Sequence, residues 1–185
     1  MGIVLVNAAV SLDGFIAGPN HEMDWIFDHQ FLPDEPIGAI DDVIRTTGAI
    51  LTGRGSYEVG RRSERSETSS AFGGRWSGPE FVLTHRPPAD DETREVSFLS
   101  GSIAQAVSTA LAAAQGKNLL VLGANVVRQC LDEDLVDEIL LLLVPILLGD
   151  GISLFGAPGG RQIRFETVSV SQAGQVAFLR FRRWG

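Results

Sequence analysis

The sequence predicts an α/β fold in three layers, with a mostly parallel sheet at the centre and an antiparallel hairpin closing the C-terminal edge. Three observations carry this. Residues 3–10 and 119–122 are near-continuous apolar runs rich in branched side chains, which suits strands buried on both faces rather than half-exposed ones. Stretches of helical spacing separate such runs repeatedly, the pattern of strand and crossover helix. The chain then ends in two runs, 163–170 and 175–182, around Ala173-Gly174, a hairpin signal.

In chain order, residues 3–10 form the first strand, with Asn7 as its polar exception. Residues 37–47 read as a helix and 49–52 as a short strand ending at Gly53. A short helix follows over 56–62. Residues 61–78 are polar and rich in Gly and Ser, which predicts a long, mobile surface loop. Residues 81–84 give another strand. An Ala-rich helix spans 102–115, with Ser102 placed to cap its start and Gly116 to end it. The strand 119–122 runs into Gly123 and the helix 125–132, and the apolar stretch 136–148 reads as one long strand. No repeat or composition break marks a linker, so 185 residues predict a single domain over 1–185.

Composition narrows the partners. A net charge of -8 opposes nucleic acid and anionic membrane surfaces, both of which need a basic face. The longest apolar run, 139–148, is half a membrane span and is interrupted by Pro145, and no secretory signal pattern opens the chain. A cytoplasmic protein is expected. Cys130 is the single cysteine, which excludes an intrachain disulfide and a cysteine-based zinc site. It lies on an apolar helical face, the placement of a core residue. The acidic cluster Asp132-Glu133-Asp134 with Asp137-Glu138 reads as a solvated cap, and no metal is expected. Of fifteen basic residues only Lys117 is a lysine, and the guanidinium fork of the others suits phosphate.

Ligands of parallel sheets bind at the carboxyl ends of the strands. Two such ends place glycine directly before a helix: Thr52-Gly53-Arg54-Gly55-Ser56 and Leu122-Gly123-Ala124-Asn125. Unpaired amides and a partial positive charge at a helix start attract phosphate, so two of them could grip a dinucleotide; the alternative is that the glycines only shape turns. Neither matches the Rossmann glycine fingerprint or a Walker loop. A third strand end, Thr84-His85-Arg86, gathers donors suited to a 2′-phosphate beside Arg54, although His85 taken alone reads rather as the start of a solvated loop.

Five stretches in order resemble the dihydrofolate reductase superfamily: Asn7 to Ala17 around Ser11-Leu12-Asp13-Gly14, Gly53 to Glu58, Val82-Leu83-Thr84, Gly123-Ala124-Asn125, and Pro145 to Gly149. The nearest branch is the reductase domain of riboflavin-biosynthesis deaminase-reductases and its stand-alone relatives. The resemblance implies NADPH as cofactor. Backbone groups of Ala9 and Ile16 would frame the nicotinamide carboxamide. Gly53, Arg54 and Ser56 would meet the pyrophosphate and 2′-phosphate, with Thr84, His85 and Arg86 beside the adenosine phosphate. Gly123, Ala124, Asn125, Val126 and Val127 would form the second phosphate turn, where the family usually has Gly-Gly. Asn7 would meet a heterocyclic substrate, its alternative being a hydrogen-bonded core amide. Trp25 would be a lid or an exposed aromatic anchored to the core, and Asp24 the candidate for the buried acid of folate reductases. Phe15 stands where the riboflavin branch commonly has lysine, which argues against a phosphoribosyl-aminopyrimidine as substrate.

The expected function is therefore an NADPH-dependent reductase that passes hydride to a pteridine-like or pyrimidine-like ring. The alternative is a non-catalytic dinucleotide-binding or ligand-sensing module. A homodimer is expected, because 136–148 is too apolar for an exposed edge and related reductase domains pair.

Overall fold

The computed structural model describes residues 2–27, 31, 37–62, 71–87, 96–156 and 160–185. Its sheet has eight strands in the order β5-β4-β3-β6-β1-β7-β10-β9. These are β1 (Val4–Val10), β3 (Thr47–Gly53), β4 (Glu80–Leu83), β5 (Val96–Leu99), β6 (Asn118–Val121), β7 (Glu138–Leu143), β9 (Phe165–Ala173) and β10 (Val176–Arg183). All pairings from β5 to β7 are parallel, and β10 is antiparallel to both β7 and β9. A small antiparallel pair, β2 (Phe15–Ala17) with β8 (Ile152–Ser153), lies outside the main sheet.

Alternation along β1 sends its side chains to two cores. Val4, Val6 and Val10 join Leu51, Leu119 and Val121 on one face, packed against Ile103, Ala106, Val107 and Ala110 of the helix Ile103–Ala113 (α3) and against Val126, Val127 and Cys130 of the helix Ala124–Asp132 (α4). Leu5 joins Ile50, Leu120 and Leu140 on the other face, under Val43 of the helix Gly38–Thr46 (α1). That two-sided burial is why 3–10 shows no polar alternation. The helix Arg54–Arg62 (α2) covers the β3–β4–β5 end, where Tyr57 meets the edge of Phe98 with ring centroids 5.4 Å apart. Ser102 caps α3 with a full capping box, its hydroxyl accepting from the Gln105 amide.

Three expectations change. The stretch 136–148 is not one strand: β7 ends at Leu143, and Pro145, which has no amide hydrogen to give a ladder, opens a turn. Nor is β7 an edge, since β1 and β10 flank it, so its apolarity reflects burial within the sheet and is no argument for a dimer. The predicted surface loop 61–78 begins later, because Arg61 and Arg62 complete α2, and its far end is packed. There Trp76 is half-buried and its indole N–H donates to the Thr47 carbonyl at 3.0 Å. Residues 63–70, on which its mobility would rest, lie outside the described residues. The short strands β2, β5 and β8 were not anticipated. No helix among the described residues is long and apolar enough to cross a membrane.

Candidate active site at the strand ends

The sheet order creates a crevice. The β1–β6 ladder stops at Val6 paired with Val121, whereas the β1–β7 ladder continues to Val10 paired with Leu143. Residues 7–10 therefore have ladder partners on the β7 side only, and their other backbone edge faces the space beyond the end of β6. This is where the strand order reverses, the position at which open α/β sheets bind ligands.

Beside that space two turns touch. Gly123 caps α4 with φ of +85°, a left-handed conformation that side chains rarely adopt. A β-carbon there would lie 2.4 Å from Ser56 Oγ. A β-carbon on Gly53 would come within 3.1 Å of the Val126 side chain, so β3 and α4 are in close contact as well. Thr52 Oγ1 donates to the Leu122 carbonyl at 3.4 Å, tying the two strand ends together. Gly55, in contrast, has nothing within 4 Å of its would-be β-carbon. Ala124 is helical and buried, so of the Gly123-Ala124 pair only the first position requires glycine. Within α4 the Val127 amide is already bonded to the Gly123 carbonyl at 3.0 Å, and the side chains of Val126 and Val127 are in the core. The amides of Ala124, Asn125 and Val126 precede the first bond of the helix and are the ones available to an anion. Asn125 is exposed, its side-chain carbonyl accepting from Gln129 at 2.6 Å.

One Arg54 nitrogen donates to the Arg86 carbonyl at 3.1 Å, while its Nε bonds Glu58 at 2.6 Å. Thr84 is buried and shapes the turn, its hydroxyl accepting from the Arg86 amide at 3.1 Å; His85 and Arg86 are exposed.

Asn7, Ala9 and Trp25 share the α1 face of the sheet. Asn7 is half-buried on β1 and alternates with Leu5 and Ala9, while Ala9 and Trp25 pack against the core of that face. Asn7 is not among the fully buried side chains, so both of its readings, a group facing the crevice and an amide of the core, stay open. The Trp25 indole nitrogen is buried and has no partner among the described residues. Asp24, which opens the 3-10 turn Asp24–Phe27, is exposed; it is not the buried acid suggested for it, because that turn sits at the surface. Ile16 departs from Ala9, packing against the core of the opposite face from β2.

Asp13, which the sequence shows only as part of the Ser11-Leu12-Asp13-Gly14 stretch, joins two turns in the structure. Its carboxylate accepts from Ser11 Oγ at 2.5 Å, from the Gly149 amide at 2.8 Å and from the Leu148 amide at 3.3 Å. The Ser11 hydroxyl and then the Gly149 amide hold this carboxyl below the usual carboxylate range. The turn after β7 is thereby fixed to the turn after β1, helped by the Leu12 amide on the Ile146 carbonyl at 2.8 Å. The signal was the pairing of Asp13 with the Pro145-to-Gly149 stretch, which the sequence shows only as two separate motifs. A cavity of about 620 Å³ lies elsewhere, between α4 and the β7–β10 surface, lined by Leu131, Ile139, Leu141, Phe165 and Phe181. No group of three or more potential metal ligands occurs among the described residues.

The site thus brings together two glycine turns in contact, the start of α4 and, one strand away, Arg54 bonded to the Arg86 carbonyl, an arrangement able to take an anion. Comparison with known proteins gives the context. A family model described as the RibD C-terminal domain matches residues 3–179. The uncharacterized protein YwjB of Bacillus subtilis (strain 168) is 28% identical over 176 residues, covering 95% of this chain and 94% of that protein. Among solved structures, a candidate riboflavin biosynthesis protein from Shewanella sp. PV-4 superposes with a TM-score of 0.82 at 22% identity, covering 99% of each chain. A Thermotoga maritima diaminohydroxyphosphoribosylaminopyrimidine deaminase/5-amino-6-(5-phosphoribosylamino)uracil reductase gives a TM-score of 0.64 at 17% identity, covering 99% of this chain and 57% of that one.

Proposed function

The chain belongs to the RibD C-terminal domain family, and from that premise we propose that it is an NADPH-dependent reductase acting on a pteridine-like or pyrimidine-like heterocycle. The observation that carries the proposal is the contact of the Gly53 and Gly123 turns beside the open edge of β1, with the Arg54–Arg86 corner next to them. Gly53, Ser56, Gly123, Ala124, Asn125 and Val126 would hold the pyrophosphate through backbone amides and the Ser56 hydroxyl. Arg54, Thr84, His85 and Arg86 would hold the 2′-phosphate, and the unpaired edge of Ala9 with the backbone of Ile16 the carboxamide. When bound, the nicotinamide supplies the hydride.

The protein's part is orientation. Asn7 offers a donor and an acceptor to a ring edge from an otherwise apolar face, and Trp25 offers a buried donor. Asp13 is ionised at neutral pH and fully engaged, so it positions the rim and does not deliver a proton. The proton comes from water at the open mouth of the crevice. The molecule forms a homodimer, the exposed Val168 and Val170 of the edge strand β9 supplying contact surface. Light scattering at micromolar concentration tests this, and a monomeric mass refutes it.

Following NADPH oxidation against a panel of pterins, pyrimidines and small diketones tests the activity. Asn7→Ala is expected to lower turnover while leaving NADPH affinity and melting temperature nearly unchanged. If NADPH binds, no compound accelerates its oxidation, and Asn7→Ala instead lowers the melting temperature sharply, the protein is a binding module.

A further inference from the structure

The distribution of cations along the chain is segregated. All fifteen lysines and arginines fall within residues 45–128 and 161–183, and none occurs in 1–44 or 129–160. The fold converts this into a division of the crevice. The rim at the carboxyl ends of β1 and β7 is built from the cation-free segments: Val10 pairs with Leu143, the Val144 amide bonds the Val10 carbonyl at 2.9 Å, and the Leu154 amide bonds the Gly14 carbonyl at 3.1 Å. The β9–β10 turn reaches the same end, since Ala177 pairs with Leu143, and residues 165–179 also lack a cation. What the rim presents is apolar, with Leu12 and Leu147 exposed, or acidic, with Asp13 held ionised and Asp150 exposed.

Among the described residues, the cations of the opposite rim do not reach across. β3 and β4 stand two and three strands from β1, or about 10 and about 14 Å at the usual strand spacing. The Arg54 guanidinium is turned further away, towards the Arg86 carbonyl after β4. Those separations exceed the screening length of roughly 8 Å at physiological ionic strength.

We infer that the substrate taken at the β1–β7 rim is an uncharged ring compound, and that its phosphate esters are rejected. A phosphate needs an arginine fork or lysine, or a set of free amides, in place of its water. This rim has no cation among the described residues, and Asp13 already engages the amides of Leu148 and Gly149. The neutral amide of Asn7 and the Trp25 indole N–H, which has no partner among the described residues, suit the edge of an uncharged heterocycle. This inference rests on the reductase reading above but concerns the part of the crevice beyond the carboxamide contacts given there to Ala9 and Ile16.

The test is calorimetry on the full chain saturated with NADP⁺, titrated with a ribosylaminopyrimidine and with the same compound as its 5′-phosphate. The neutral riboside is expected to bind at least tenfold more tightly. Leu147→Lys, at an exposed position, places a cation on the rim, should strengthen binding of the ester several-fold, and should lose that gain in 0.5 M salt. Equal or tighter binding of the ester by the unmodified protein overturns the inference. So does failure of both compounds to bind, or an ester affinity that Leu147→Lys leaves unchanged. Failure of NADP⁺ itself to bind instead overturns the reductase reading.

Discussion

Gly123→Ala tests the contact between the two turns. The backbone at this residue has φ of +85°, and placing a β-carbon in a left-handed conformation costs about 1–2 kcal/mol. The new carbon would also lie 2.4 Å from Ser56 Oγ, 3.5 Å from Ser56 Cβ and 3.7 Å from Thr52 Oγ1. Only the first is a clash, and the hydroxyl can relieve it by leaving its preferred rotamer at a cost of about 0.5–1.5 kcal/mol. The expected destabilisation is about 1.5–3.5 kcal/mol, or a fall in melting temperature of about 3–14 °C for a chain of this length. Ser56→Ala removes the clashing atom and leaves the backbone strain. Urea unfolding of both single variants and the double should therefore give a favourable coupling of about 0.5–1.5 kcal/mol. The methyl group enters the gap between the turns, so NADPH affinity should fall at least tenfold in Gly123→Ala. A variant as stable as the parent, or energies that add without coupling, would refute the packing argument.

Arg54→Ala should weaken NADPH binding about tenfold to hundredfold, the worth of one charge-assisted contact, and leave NADH almost unchanged; fluorescence titration of both cofactors measures it, and equal losses would remove the 2′-phosphate assignment. For Asp13, the folded-state pKa lies below the unfolded one, so its contribution to stability is present above about pH 4 and is lost as pH falls through the folded value. The melting temperature of Asp13→Asn should accordingly sit below that of the parent at pH 7 and converge on it in acid, whereas curves parallel across that range would contradict the role. Cys130 is fully buried and burial pushes its thiol up to about 12, so it should not react with an aromatic disulfide reagent until the chain is unfolded in urea.

The elements most readable in the sequence were those whose local chemistry and tertiary setting agree. Strand β1 and the cap at Ser102 are of this kind: apolar content matches two-sided burial in one, and the Ser102–Gln105 pair closes within four residues in the other. The strands that escaped are two to four residues long, and β2 and β8 exist only because residues far apart in sequence meet. The end of β7 shows the same limit. An apolar run cannot say where a ladder stops, and Pro145 together with the distant Asp13 decides it. In the candidate site, glycine followed by a helix start was readable at both turns, but which glycine is sterically required was not. Gly55 and Gly123 look alike in the sequence and differ only in what stands beside them. Asp24 failed for a related reason, since nearness in sequence to an aromatic does not carry burial with it.

The position of β6 bears on how the chain assembles. It is made after β3, β4 and β5, yet it is the strand that stands between β3 and β1. Until residues 118–121 leave the ribosome, β1 has neither of its neighbours, because β7 comes later still. The β3–β4–β5 unit can form early, while the first strand waits for more than a hundred residues before it can pair. Such delayed, long-range pairing slows folding and leaves apolar strand edges open to misassociation. A nascent chain halted in the loop before β6 should therefore be a chaperone client, and one extended beyond β7 should release.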